Sequence, residues 1–312
     1  MSCPPLDMDK MKSAEKPLKA VARRLPRPLR RFLGLLWDYS RRIGRWILIL
    51  RSVRGFAVKD KAALLGSALL SPMVSLRGLG QWQDPVLFWN SDVIVDGVGR
   101  FTVRRRTDDM WHILPARERS VMRVVTETVG PGDVFVDAGA NIGYFTVLAA
   151  SLVGDTGRVL AVEMMPDTAA LLRQHVAMNG LANVEVTERA LSDLPGQRVV
   201  ARISAGKHGQ ASISTSGVRD GVEVSVMTTT LSDLLADIDD IALMKMDLEG
   251  AEELAIRGAG RSLMRIRAIV FEDWGGDGLA SLLRENGFEV RRLDGNNSLA
   301  LNLRHAKAPS AP

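Results

Sequence analysis

Val134-Phe-Val-Asp137-Ala-Gly139-Ala-Asn141-Ile-Gly143-Tyr144 is the stretch that decides the fold. Three β-favouring residues lead into an acid, and small residues then turn the chain into a helical pattern. A turn poor in side chains at the end of a strand lets a ligand approach backbone amides at a helix N-terminus. Working outward, Glu163 stands 24 residues after Gly139 and closes a second apolar run, Arg158-Val-Leu-Ala-Val-Glu163. An acid about 20 residues beyond the first glycine is where a doubly wound fold grips a ribose diol. Turn and acid together predict an adenosine-containing cofactor. A turn that only packs would also use glycine, but would not need the acid at that distance.

The spacing is D-x-G-x-N-x-G, whereas a dinucleotide pyrophosphate needs a glycine where Asn141 stands. Asn brings an amide that can hydrogen-bond. S-adenosyl-L-methionine carries an amino group, a carboxylate and a sulfonium, and no phosphate. Asp137 suits the ammonium, and the loop amides suit the carboxylate. The residues therefore favour S-adenosylmethionine over NAD.

Around this turn, strand and helix patterns alternate as a parallel sheet requires. Strands are expected at 134–138, 158–163, 183–190, 241–247 and 268–272, with helices at 142–153, 167–179, 252–258 and 278–286. Two last strands, 288–293 and 298–303, read as an antiparallel hairpin about Asp294-Gly295-Asn296. Residues 197–228 interrupt the rhythm. They read as two strands around a polar loop holding Lys207, His208, Gln210 and Ser212, a natural substrate cover. Upstream, 92–104 reads as a hairpin and 116–128 as a helix. The expected domains are a basic extension 1–60, a connector 61–94, a main domain 95–305 and a tail 306–312.

Several segments resemble the FkbM family of S-adenosylmethionine-dependent methyltransferases. The first motif is similar, as are Ala190-Leu-Ser192-Asp193 and Lys245-Met-Asp247-Leu-Glu249-Gly250-Ala-Glu252. Thr107-Asp108-Asp109 is similar to a T-x-D element that precedes the first motif in that family. The likeness covers residues 95 to 303. It implies a doubly wound, Rossmann-like class I methyltransferase fold of the α/β class, mostly parallel with an antiparallel last strand. It also implies cofactor contacts from Thr107, Asp108, Asp137, Gly139, Asn141, Gly143, Tyr144, Glu163, Ala190 and Ser192. Two departures stand out. Glu163 is followed by Met164-Met165-Pro166 where the family has Glu-Pro, and Thr230-Leu231-Ser232-Asp233 replaces T-L-D.

A methyl group on a sulfonium is already activated, so an enzyme must align it and remove a proton. Lys245, Asp247 and Glu249 alternate, and on a continuing strand they would share one face. Asp247 is the candidate proton acceptor or metal ligand, Lys245 orients it and Glu249 supports it. A purely structural Lys–Asp–Glu network is the competing reading. Glu272 is a second acid with which Asp247 could share a divalent cation. His208 is a further candidate base or a solvated loop residue, and His175 falls inside a helix and reads as structural.

The net charge of +5 conceals an asymmetry: residues 1–60 hold 15 Lys/Arg and 5 Asp/Glu, the remainder 26 and 31. From Leu29 to Arg51 apolar residues fall on one helical face with arginines between them. Such a helix can lie on an anionic membrane surface, or dock on its own protein with its arginines solvated. No nucleic-acid pattern accompanies the basic segment, and its longest apolar run, Trp46 to Leu50, is far below the roughly 20 residues of a span. Cys3 is the only cysteine, which excludes an internal disulfide framework and fits a cytoplasmic enzyme, peripheral to a membrane if the helix binds one. The leading expectation is O-methylation of a hydroxyl on a small-molecule, glycan or lipid-linked acceptor, with N-methylation open. An NAD-dependent oxidoreductase and a non-catalytic membrane-surface scaffold are the alternatives.

Overall fold

The computed structural model describes residues 26–71, 85–204, 211–212, 221–273 and 277–305. By contact the chain divides into two units, Met1–Asp96 with Thr102–Arg117, and Gly97–Phe101 with Glu118–Pro312.

In the first unit, helix α1 (Arg27–Ser52) starts with a proline in its first turn, where a fixed φ suits the helix and no amide is missed. It spans the apolar pattern expected for 29–51. Trp46 and Ile49 are buried, so one side of the helix docks on its own unit. Val53 then turns extended into strand β1 (Val53–Gly55), which pairs antiparallel with β2 (Ser91–Val95). Helix α2 (Val58–Leu70) follows β1. The buried Asp60 ties its start to β2, accepting from the amides of Ala57 at 2.9 Å and Asp92 at 3.2 Å. Residues 72–84 of the expected connector lie outside the described residues. Strand β3 (Gly99–Val103) has residues in both units, and the short helix α3 (Asp109–His112) closes the first.

The second unit opens with helix α4 (Arg119–Thr128) and continues as β4 (Val134–Ala138), α5 (Tyr144–Val153), β5 (Arg158–Val162), α6 (Pro166–Met178) and β6 (Val184–Thr187). After an excursion come α7 (Leu231–Leu234), β11 (Leu243–Met246), α8 (Glu252–Arg257), β12 (Ala268–Glu272), α9 (Asp277–Glu285), β13 (Phe288–Asp294) and β14 (Asn297–Asn302). The sheet order is β13-β14-β12-β11-β4-β5-β6. Every pairing is parallel except those of β14, which runs antiparallel to β12 and β13. This is the mostly parallel, doubly wound class I sheet with a reversed last strand.

Burial explains the sequence character of these elements. β4 lies between β5 and β11, and its side chains from Phe135 to Ala138 are all buried. Helix α5 is buried at nearly every position, as a helix apolar all round must be. One core runs from Val136, Leu160 and Met244 to Phe271, Leu283 and Phe288.

The excursion differs from expectation in one respect. The strand expected over 183–190 stops at Thr187, and Ala190–Leu191 forms β7 in a separate sheet with β8 (Arg198–Ser204), β9 (Ala211–Ser212) and β10 (Gly221–Thr229), in the order β7-β10-β8-β9. The break falls at Glu188-Arg189, where Glu188 pairs with Arg173 at 2.8 Å on an exposed edge. In that second sheet β8 and β10 are antiparallel, and β9 joins β8. Lys207, His208 and Gln210 lie outside the described residues.

Candidate active site

The chain runs from β4 outward through β5 to β6, then crosses back to place β11 on the other side of β4. The strand order thus reverses between β4 and β11. Ligands of open α/β sheets bind outside the carboxyl ends of the strands at such a point. Asp137 and Lys245 are direct register partners there.

Asp137 is 1% exposed. Its Oδ2 accepts from Thr146 Oγ1 at 2.6 Å, while Oδ1 has no hydrogen-bond partner. Lys245 Nζ lies 3.9 Å from that Oδ1 and 3.6 Å from Asp247 Oδ2. It also sits 5.4 Å from the centre of the Phe145 ring, within the range of a cation–π attraction. Burial pushes the Asp137 carboxyl above its ordinary range, against the lowering effect of Lys245 and Thr146. Oδ1 of Asp137 is buried, and the Lys245 ammonium is the cation set near it.

Glu163 follows β5 and is buried. Its Oε2 accepts from the Asn141 amide and its Oε1 from the Met165 amide, each at 2.9 Å. Burial pushes its carboxyl up to about 7 even though both amides favour the charged form. Each oxygen keeps a further lone pair for a hydroxyl. The acid at ribose distance is thus also the clasp of the glycine turn.

The turn itself is folded inward. Gly139 and Ala140 donate to Val162 O, Asn141 to Glu163, Ile142 to the Asn141 side-chain oxygen, and Gly143 to Ala140 O. Each of these amides therefore already has an acceptor within the protein. The helix beyond begins at Tyr144, and the first amides of a helix are the ones left open by its own bonding. Gly139 has φ +81°, and a β-carbon there would overlap the Asp247 carbonyl oxygen. Gly143, at φ +91°, would drive one into Leu172. Tyr144 is buried, its hydroxyl 3.6 Å from Met122 Sδ and its ring edge-on to Phe145.

β11 ends at Met246, so Lys245, Asp247 and Glu249 do not share a strand face. Glu249 adopts φ +51° and Gly250 φ +102° in the turn that follows, which breaks the period of two. Lys245 and Asp247 still meet, and the side chain of Asp247 is 24% exposed. The turn is fastened by Glu252, whose Oε1 accepts from the Leu248 amide at 2.9 Å. Glu272 closes β12, half-buried. Among the described residues no group of three or more His, Cys, Asp or Glu could hold a metal ion.

Ala190 is buried in β7, and Ser192 is buried with its hydroxyl 3.1 Å from Asp193 Oδ1. Thr107 and Asp108 belong to the first unit. The Thr107 hydroxyl bonds Arg104 O at 3.0 Å, and Asp108 Oδ2 lies 3.3 Å from His112 Nε2, with Arg117 on the other ring nitrogen. Asp109 holds Arg104 through both carboxylate oxygens. His175 is fully buried with Nδ1 2.6 Å from Ile142 O, the structural role expected of it. Of the departures noted, Pro166 opens α6 and the Met165 amide clasps Glu163. Thr230 caps α7, accepting from the Asp233 amide at 3.0 Å. Thr146, Phe145 and Glu252 were missed as site residues. Thr146 alone left a trace, a single polar side chain in the otherwise apolar first turns of α5.

Residues 137–290 match the family described as the methyltransferase FkbM domain. The chain is 31% identical over 194 residues to the 31-O-demethyl-FK506 methyltransferase FkbM of Streptomyces tacrolimicus, across 51% of this chain and 74% of the other. The chain belongs to the FkbM family of S-adenosylmethionine-dependent methyltransferases. This methyltransferase is also 24% identical over 218 residues to the hexuronic acid methyltransferase AglP of Haloferax volcanii, covering 69% and 80%. A solved SAM-dependent methyltransferase from Aquifex aeolicus aligns at 15% identity over 62% of this chain and 96% of that one, with a TM-score of 0.37. The methyltransferase uses S-adenosylmethionine, not NAD. Among its described residues no helix is long and apolar enough to cross a membrane.

Proposed function

We propose that this methyltransferase transfers the methyl group to a hydroxyl oxygen of a small molecule, a glycan or a lipid-linked glycan. The observation that carries the reading is the pairing of two unequal carboxylates about one ammonium. Asp137 is sealed in, whereas Asp247, on the other side of Lys245, is partly open. S-adenosylmethionine supplies a methyl group already activated on a sulfonium. With the cofactor bound, Asp137 would be the acid nearest the methionine ammonium, and Glu163 would accept from the ribose hydroxyls. Asp247 takes the proton of the acceptor hydroxyl, which is a poor nucleophile while neutral. Lys245 is a positioning residue that holds Asp247 against the buried acid, and Glu252 fixes the turn that carries it. The names of the two relatives, one an O-methyl site and one a sugar acid, support oxygen and polyhydroxylated acceptors.

Incubation with labelled methyl donor and hydroxylated acceptors, followed by mass spectrometry, tests the reading. Asp247→Asn should lower kcat by roughly 10²–10⁴-fold while S-adenosylhomocysteine affinity stays within a few-fold. A product methylated on nitrogen, or full turnover by the variant, would remove the oxygen assignment or the role of Asp247 respectively.

A further inference from the structure

Of the fourteen exposed large apolar side chains among the described residues, nine lie in the first unit, which holds well under half of those residues. They are not scattered. Tyr39, Ile43, Ile47 and Leu50 form one exposed stripe along α1 at intervals of four, four and three, bordered on one flank by the buried Trp46 and, beyond it, Ile49. Val58, Leu65 and Leu69 form a second along α2, with Val58 81% and Leu69 79% exposed. Trp89, itself half exposed, lies against Gly66 of α2 beside that stripe. The two helices touch each other and both pack on β1.

The charges around these stripes are predominantly basic, and the exposed acid Asp96 is paired with Arg54 at 2.8 Å. Over residues 39–71 the exposed charged side chains are Arg51, Arg54, Lys59 and Lys61, and the only acid, Asp60, is buried in its capping role. Arg42 and Arg45 are occupied within the unit, by Ser71 O and the Trp111 ring. Exposed apolar stripes are expected to have a partner. Here that partner must accept apolar side chains, a tryptophan at its edge and a rim of cations.

We infer that α1 and α2 together form a docking face for an anionic lipid bilayer, with the two apolar stripes entering the headgroup–acyl boundary and Arg51, Lys59 and Lys61 meeting lipid phosphates. Basic amphipathic helices with aromatic residues bind such surfaces, each cation contributing to the attraction. A second copy of this chain would bring the same cations together, which like charges oppose. The inference is independent of which acceptor is methylated, since the binding is read without acceptor.

Co-sedimentation of the full chain with phosphatidylcholine vesicles and with mixed phosphatidylcholine–phosphatidylglycerol vesicles tests it. The protein should pellet with the mixed vesicles only. The combined Arg51→Gln, Lys59→Gln and Lys61→Gln variant should lose about a hundredfold in partitioning, at about fivefold per cation. Ile47→Glu with Leu65→Glu and Leu69→Glu should abolish pelleting while S-adenosylhomocysteine affinity and the melting temperature hold. In the unaltered protein, bromine-labelled lipid should quench tryptophan emission, and Trp89→Phe should reduce that quenching. Failure of the unaltered protein to pellet with anionic vesicles overturns the inference. So does pelleting by either variant equal to that of the unaltered protein, or a dimer in light scattering that the apolar variant splits without any vesicle binding.

Discussion

Lys245 and Asp137 sit opposite each other in the register of β11 and β4, with Nζ 3.9 Å from Oδ1, at the point where the strand order reverses. The pair places a buried acid and its cation where the general rule for open α/β sheets puts the ligand. Its consequences can be measured.

Thr146→Val keeps the shape of the side chain and removes the hydrogen bond that the Asp137 carboxylate accepts from the Thr146 hydroxyl. An acid buried this deeply then has one distant ammonium left. The variant should lose about 1–3 kcal/mol of stability, read as a lower urea midpoint, and should bind S-adenosylhomocysteine more weakly. An unchanged midpoint would mean the hydroxyl contributes nothing.

Lys245→Met should show a pH-dependent defect. Lys245 opposes the burial that raises the Asp137 carboxyl, so its removal raises that carboxyl further. A raised folded-state value makes the native protein hold its proton more tightly than the unfolded chain, and stability then falls as pH rises through the raised value. The loss relative to the unaltered protein should be larger at alkaline than at mildly acidic pH in denaturant titrations. A loss of equal size at both would point to packing alone.

Glu163 gives a window in pH. Its carboxyl is moved from 4.5 to about 7 by burial, so the unliganded protein should lose stability as pH rises between those values. A diol donates its hydroxyl protons, so the ionised carboxylate is its better partner. S-adenosylhomocysteine affinity should therefore rise with pH up to about 7 and then level off. Calorimetry of Glu163→Gln should show that rise removed, with weaker binding throughout; a parallel rise in the variant would assign the effect to another group.

Gly139→Ala should abolish cofactor binding, because the new methyl overlaps the Asp247 carbonyl oxygen and φ is +81°. Gly154→Ala is the control. Gly154 has φ +63° and ψ −170° but open space around it, so the change should cost only the strain of that glycine-favouring backbone, about 1–3 kcal/mol. Equal effects would show that strain alone, not the close approach of the two strand exits, explains the glycine.

Much of the second unit is readable from the chain because each signal there is local. Apolar runs end at Asp137 and Glu163, Asn179-Gly180 stops α6, and Gly295 turns the last hairpin, each within a few residues of the element it bounds. The misses are non-local. Whether Ala190 stays in the main sheet depends on β10, nearly forty residues later. The alternation of Lys245, Asp247 and Glu249 looks like a strand until Glu249 and Gly250 both turn left-handed. Thr146 lies nine residues from the acid it serves, and no spacing rule links a strand-end Asp to a residue in the following helix. The glycine turn was legible as a turn, but the inward bonding of its amides is set by Val162 and Glu163 on the neighbouring strand.

The tight approach of Gly139 to the Asp247 carbonyl also bears on how such sequences change over time. With no room for a β-carbon between them, the D-x-G turn and the start of the K-M-D-L-E-G-A-E octet are a lock and its bolt, cut to one another. The contact is with a main-chain oxygen that any residue at 247 would supply, so the constraint falls on the glycine, and a descendant that replaced it would have to reroute the exit of β11 in the same lineage.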